Sequence, residues 1–159
     1  MELQQFFIDQ LRDIYWVEQK LVRVLPKLEK AAFADELKQA FSSHCEETKN
    51  HVSRLEKVFG ILNTPVEGSK IPDIAGIADE GQNIIDESKD STAERDVALI
   101  FVSQKAEHYE IATYGGLVQL AKTLGYAEAA EILSVTLSEE KKADSLLTRI
   151  AETLEIDSH

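Results

Sequence analysis

The sequence predicts an all-α chain: a four-helix bundle with a long crossover between helices two and three, and a short extra helix inside that link. Three observations predict it. Only three prolines and seven glycines occur in 159 residues, and both residue types are poorly tolerated inside helices. Apolar residues recur at three- and four-residue intervals along four long stretches, the period of one helical face. Two of the prolines and four of the glycines fall in residues 60–91, "GILNTPVEGSKIPDIAGIADEGQNIIDESKDS".

The first helix is expected from about Glu2 to about Leu28. Phe7, Leu11, Ile14, Leu21, Leu25 and Leu28 share a face, with Glu18 in the middle of that file. Pro26 is expected to kink it or weaken its last turns. The second helix spans about Asp35–Phe59, with Asp35 as N-cap, Leu37, Phe41, Leu55, Val58 and Phe59 as core stripe, and Gly60 as stop. The crossover follows at about 60–91, and a short helix near Ile74–Ser88 can dock Ile74, Ile77, Ile84 and Ile85 on the bundle. The third helix runs from about Thr92 to Leu124, and "TLGYAEA" turns the chain into a fourth from about Ala127 to Leu154. Residues 1–159 read as one domain, since a hairpin, a long connection and a second hairpin form a recurrent bundle topology. A faint internal repeat agrees: "EETKNH" at 46–51 falls over "EEKKAD" at 139–144, and Glu18 over Glu110.

Composition excludes several classes. A net charge of −12 repels phosphate backbones, so nucleic acid is not an expected partner. No apolar run is long enough to span a membrane, and "MELQQFFIDQLRD" has neither a basic start nor a small-residue cleavage site, so no signal peptide is expected. The single cysteine, Cys45, cannot form an internal disulfide and suits a reducing, cytoplasmic setting. Phosphate-binding loops, Cys-x-x-Cys and nucleophilic serine motifs are absent from the sequence.

Glutamates interrupt the apolar files, and their heights agree. With a rise of about 1.5 Å per residue, Glu18 and Glu47 each lie about 15 residues from the first hairpin turn, and Glu110 and Glu140 about 15 from the second. One glutamate per helix therefore falls at nearly one level. Residues four apart share a face, so Glu47 with His51, and Glu140 with Asp144, each aim two donor groups at one point. Glu139 competes with Glu140 for the inward position, and His44 reads as a supporting or structural residue. Several carboxylates in a dry core must either be protonated or be held by cations.

The stretches "LRDIYWVEQKLVRVLPKL", "HCEETKNHVSRLEKVF", "AEHYEIATYGGL" and "LSEEKKADSLLTRIAE" resemble the ferritin-like superfamily. More narrowly they resemble the small bacterial stress-associated proteins of the YciF type, a group described as a domain of unknown function. The resemblance implies a ferritin-like bundle with a dinuclear carboxylate site for iron or manganese, zinc being an alternative, and redox chemistry with oxygen or peroxide. It implies Glu18 and Glu110 as bridging carboxylates, Glu47 with His51 as one capping pair and Glu140 with Asp144 as the other. Glu107, one turn from Glu110, is an auxiliary ligand. Such sites generally use Glu-x-x-His. Here the spacing is i, i+4, and Asp144 stands where a second histidine is usual, leaving one half all-oxygen. The alternative is a metal-free or redox-silent helical interaction protein of the stress response. A homodimer is expected from the frequency of symmetric assemblies and from Trp16, which the helical phase turns away from the core. Close helix approach or a bulge would account for Gly115 and Gly116.

Overall fold

Helix-forming sequence punctuated by a few turn residues gives five helices in the computed structural model, which describes residues 1–156. The last three positions of the expected 1–159 domain lie outside the described residues. The helices are α1 (Leu3–Ala31), α2 (Asp35–Ile61), α3 (Pro72–Glu87), α4 (Ala93–Thr123) and α5 (Ala127–Thr153). α1 packs beside α2 and α4, and α5 beside the same two, so four long helices form a ring. α3 is the short extra helix of the crossover and lies over α4 and α1. The fold is the four-helix bundle with a long crossover that the periodicity predicts, and it agrees with the ferritin-like arrangement that the resemblance implies.

The core divides into two apolar clusters. One joins Phe7, Leu11 and Ile14 of α1 to Leu55, Val58 and Phe59 of α2, Leu117 and Ala121 of α4, and Leu133 of α5. The other joins Leu25 and Leu28 to Leu37 and Phe41, Leu99 and Ile100, and Leu147 and Ile150. The order of these residues along each helix makes α1 antiparallel to α2 and to α4. The crossover must therefore travel the length of the bundle, and α3 covers that distance with Ile74, Ile77, Ile84 and Ile85 docked on the clusters.

Local chemistry changes several expected boundaries. α1 continues through Pro26 to Ala31 instead of weakening there. Proline removes the N–H that would bond to the carbonyl four residues back, here Val22, and the Cys45 thiol donates to that oxygen at 3.7 Å. The proline itself is exposed, so its ring meets no neighbouring helix. Asp35 is the first residue of α2 instead of its cap. The helix also passes Gly60, and Asn63 supplies the left-handed turn with φ 50°. Gly115 and Gly116 sit in unbroken helix with nothing within 4 Å of an added Cβ, so the structure gives no packing reason for them. Trp16 is not a free interface residue. Gly68 of the crossover lies on it, where a Cβ would come within 3.2 Å of the Trp16 Cβ, and the Ser69 amide bonds to the Arg12 carbonyl at 3.1 Å.

Two buried charges at the start of α4 fasten the end of the first hairpin. Arg95 donates to the carbonyls of Ala31, Ile85 and Ser88, tying α3 and the end of α1 together. Asp96, fully buried, accepts from the amides of Phe33 at 2.7 Å and Ala34 at 2.8 Å, the two residues that turn α1 into α2. Replacing Asp96 with alanine leaves both amides without their acceptor. Urea unfolding should show a loss of about 2–4 kcal/mol for D96A, with an unchanged m-value if the fold persists.

Candidate metal centre

The four long helices each bring acidic or histidine side chains to the mid-level between the two apolar clusters. α1 supplies Glu18, α2 His44 and His51, α4 Glu107 and Glu110, and α5 Glu140. All six are buried, Glu18, His51, Glu110 and Glu140 to 0 % exposure. Among the described residues, two groups have donor atoms within 4.8 Å of one another: Glu18, His51, Glu110 and Glu140, and, beside it, His44, Glu107 and Glu140. Metal–ligand bonds of about 2.0–2.6 Å place donors around one ion at such separations. Glu140 belongs to both groups.

The contacts are close and incomplete. His51 Nδ1 lies 2.8 Å from Glu18 Oε2 and 2.8 Å from Glu140 Oε1. A single nitrogen cannot donate its one hydrogen fully to both, and only the Glu18 contact has hydrogen-bond geometry. His44 Nε2 stands 3.0 Å from Glu107 Oε1 and 3.5 Å from Glu140 Oε2. Among the described residues, both oxygens of Glu110, both of Glu140, Glu18 Oε1, Glu107 Oε2 and the Tyr114 hydroxyl have no partner in hydrogen-bond geometry. Each such orphan costs about 1–3 kcal/mol if left so. Carboxylate oxygens left over in this way, facing imidazole nitrogens in a dry core, are a donor set that fits divalent cations.

The surroundings hold His51 in one orientation. Its Nε2 lies 3.0 Å from Glu139 Oε1, and Arg54 grips Glu139 through Nη1 at 2.6 Å and Nη2 at 3.2 Å. With Nε2–H donating to Glu139, the Nδ1 lone pair is left for the cluster, the way carboxylates commonly orient a metal-binding histidine. The Arg54 hydrogen bond also holds the Glu139 carboxyl below its usual range.

Burial and mutual charge redistribute protons when only side chains balance the site. Burial pushes Glu107 and Glu110 well above the normal carboxyl range, helped for Glu110 by the charges of Glu140 and Glu18. Burial pushes Glu140 the same way, yet the facing Glu107, His44 and His51 donors hold it well below. Burial alone would lower both imidazoles. Glu107 and Glu140 instead raise His44, and Glu140 and Glu18 raise His51 to about 10. Tyr114, whose ring meets the His51 ring edge-on at 6.3 Å, is pushed up by burial.

Of the expected ligands, Glu18, His51, Glu110, Glu140 and Glu107 come together, and Glu47 and Asp144 do not. On a helix of 3.6 residues per turn His44 and His51 differ by about 20° around the axis, while Glu47 is about 40–60° off their line. Glu47 is accordingly half-buried, with burial raising its carboxyl. Asp144 turns toward α4, where its Oδ2 lies 3.1 Å from the exposed His108 Nε2. Each group holds one histidine, Glu140 is common to both, and Glu18 and Glu110 fall in the first group alone. Sequence reasoning undervalued His44. Its seven-residue separation from His51, two turns on one stripe, is the signal that marks it. Glu139 resolves as the partner of His51 and Arg54 and not as the inward acid.

The sequence and the fold both have close counterparts among known proteins. A family model described as "Domain of unknown function (DUF892)" matches residues 2–157. Protein YciF of Escherichia coli K12 is 41% identical over 150 residues, covering 94% of this chain and 90% of that protein. The crystal structure of the E. coli stress protein YciF superposes with a TM-score of 0.90 over 95% of both chains. A structure from Rhodopseudomonas palustris, described as YcfI, a putative structural protein, gives 0.89 at 35% identity, covering 98% of this chain and 96% of that one.

Without metal, the histidine shift has a stability consequence. A His51 pKa raised from 6.5 to about 10 in the folded state stabilises the protein fully below pH 6.5, and that contribution is lost as pH rises through 10. The raised carboxyls of Glu107 and Glu110 act in the same direction. Chelator-treated protein should therefore melt at progressively lower temperature between pH 6.5 and 10. H51Q should flatten that slope in a pH series of thermal melts.

Proposed function

The chain belongs to the DUF892 family, and from that premise we propose that it is a stress-associated protein with a dinuclear carboxylate–histidine metal centre for iron or manganese. The observation that carries the reading is Glu140, one buried carboxylate shared by two adjacent donor groups. Glu18, His51 and Glu110 complete one position with Glu140, and His44 and Glu107 form the other with it. Carboxylate with single imidazoles suits iron and manganese, and zinc also accepts these donors. When bound, a pair of such ions supplies two-electron exchange with oxygen or peroxide.

The protein's own part is positional. Arg54 and Glu139 hold His51, the apolar cluster around Phe7, Leu11 and Leu133 closes one end, and the close approach of Glu18, Glu110 and Glu140 presets the donor spacing. Loading a cation requires protons to leave Glu107, Glu110 and the two imidazoles, so metal uptake is proton-coupled. The stress setting follows the E. coli relative described as a stress protein. No described helix is long and apolar enough to cross a membrane, and the free, buried Cys45 accords with a cytoplasmic location. A homodimer completes the reading.

A second reading has its own observation. The His51–Glu18 and His44–Glu107 contacts at 2.8 and 3.0 Å can close a protonated, metal-free network, which would make the chain a helical interaction protein. Metal analysis of freshly purified protein separates the two. The dinuclear reading expects about two equivalents of iron or manganese and stabilisation of about 2.7 kcal/mol when free metal is a hundredfold above Kd. Affinity should weaken as pH falls. E140A should lose both ions while E47Q keeps them. Less than about a tenth of an equivalent of any metal, with melting unchanged by chelation, would instead establish the network. Zinc alone, with no spectral change on adding peroxide, would remove the redox role.

A further inference from the structure

One end of the bundle is less filled than the other. A cavity of about 280 Å³ opens among all five helices, walled mainly by apolar side chains such as Leu25, Phe41, Ile74, Leu99, Val102 and Leu147. His44 and Glu107 also line it, so it reaches the second donor group. A well-packed interior has few voids larger than a water molecule, and a cavity with mainly apolar walls can take an apolar guest. If about 150 Å³ holds benzene, this one has room for about eleven non-hydrogen atoms.

The charges on the lining identify the guest's other end. Lys20, Lys142 and Arg149 line the cavity, and among the described residues none of the three forms an ion pair or a side-chain hydrogen bond. Among the described residues the acids on the lining are Glu47 and Glu107, and Glu107 is already faced by His44. In a protein of net charge −12, three unpaired cations around one apolar cavity are a local reversal of sign. Such a reversal attracts an anion to the cavity.

We propose that this cavity is a binding site for a medium-chain aliphatic carboxylate. The hydrocarbon tail fills the apolar space among Leu25, Phe41, Leu99 and Val102, and the carboxylate head rests on the cations that line it. The tail thereby lies beside His44 and Glu107. The site does not depend on the proposed metal centre, since its walls and cations are side chains of the protein alone.

Calorimetric titration of the purified full-length protein with decanoate and with decan-1-ol tests this. Saturable binding at one molecule per chain is expected, with the alcohol weaker. V102F, which fills the cavity, should weaken decanoate by at least about tenfold. If V102F loses its helical circular dichroism, A143F at the half-buried edge serves as the filling variant. K142Q/R149Q, on exposed positions, should weaken decanoate by about fivefold and leave decan-1-ol unchanged. Absence of saturable binding, or full binding by a folded filling variant, would overturn the site. Decan-1-ol binding as tightly as decanoate would overturn the anionic head. Metal content measured on the same samples reports separately on the metal centre, so either can fail while the other stands.

Discussion

Four glutamates and two histidines are buried together between two apolar clusters, and their charges must be balanced there. In a low-dielectric core an unpaired carboxylate is among the costliest groups to bury, and here Glu140 is held well below the usual carboxyl range while Glu107, Glu110 and both imidazoles are raised. Everything at mid-level follows from that balance. The histidines turn toward acids, Tyr114 places an unpartnered hydroxyl beside them, and Arg54 reaches in to hold the one acid, Glu139, that anchors His51 from outside.

The bundle makes this balance feasible because it separates the roles of its parts. The two apolar clusters lie on either side of the polar layer, and each packs side chains from all four long helices. The buried charges at the start of α4 act elsewhere. Asp96 closes the turn between α1 and α2, and Arg95 fixes the crossover to the end of α1. They set how the first hairpin meets the second, and so the height at which Glu18 faces Glu110 and Glu140.

Much of this is legible in the sequence, for physical reasons that differ by residue. Long helices with regular apolar files announce themselves, and one glutamate per file at a common height survives small errors in helix boundaries. The inward sense of Glu18, Glu110 and Glu140 therefore emerges. Glu47 and Asp144 mislead because a spacing of four residues places side chains on the same side of a helix but not on the same line. About forty degrees separates the core from its edge. His44 is easily discounted because an isolated histidine is usually structural, although its two-turn relation to His51 carries the better phase. The thiol that meets the Val22 carbonyl beside Pro26 comes from another helix, and the glycine that covers Trp16 from a loop, and neither contact is visible from local pattern. The cavity lined by Lys20, Lys142 and Arg149 arises from all five helices at once, so no single stretch reveals it.

The shared position of Glu140 is most directly tested by anomalous diffraction from crystals of the protein grown with manganese. The account predicts two peaks, one on each side of the Glu140 carboxylate, the first contacting His51 Nδ1, Glu18 and Glu110 and the second contacting His44 and Glu107. A map with no peak at this level, or with density instead between Glu47 and Asp144, would contradict it.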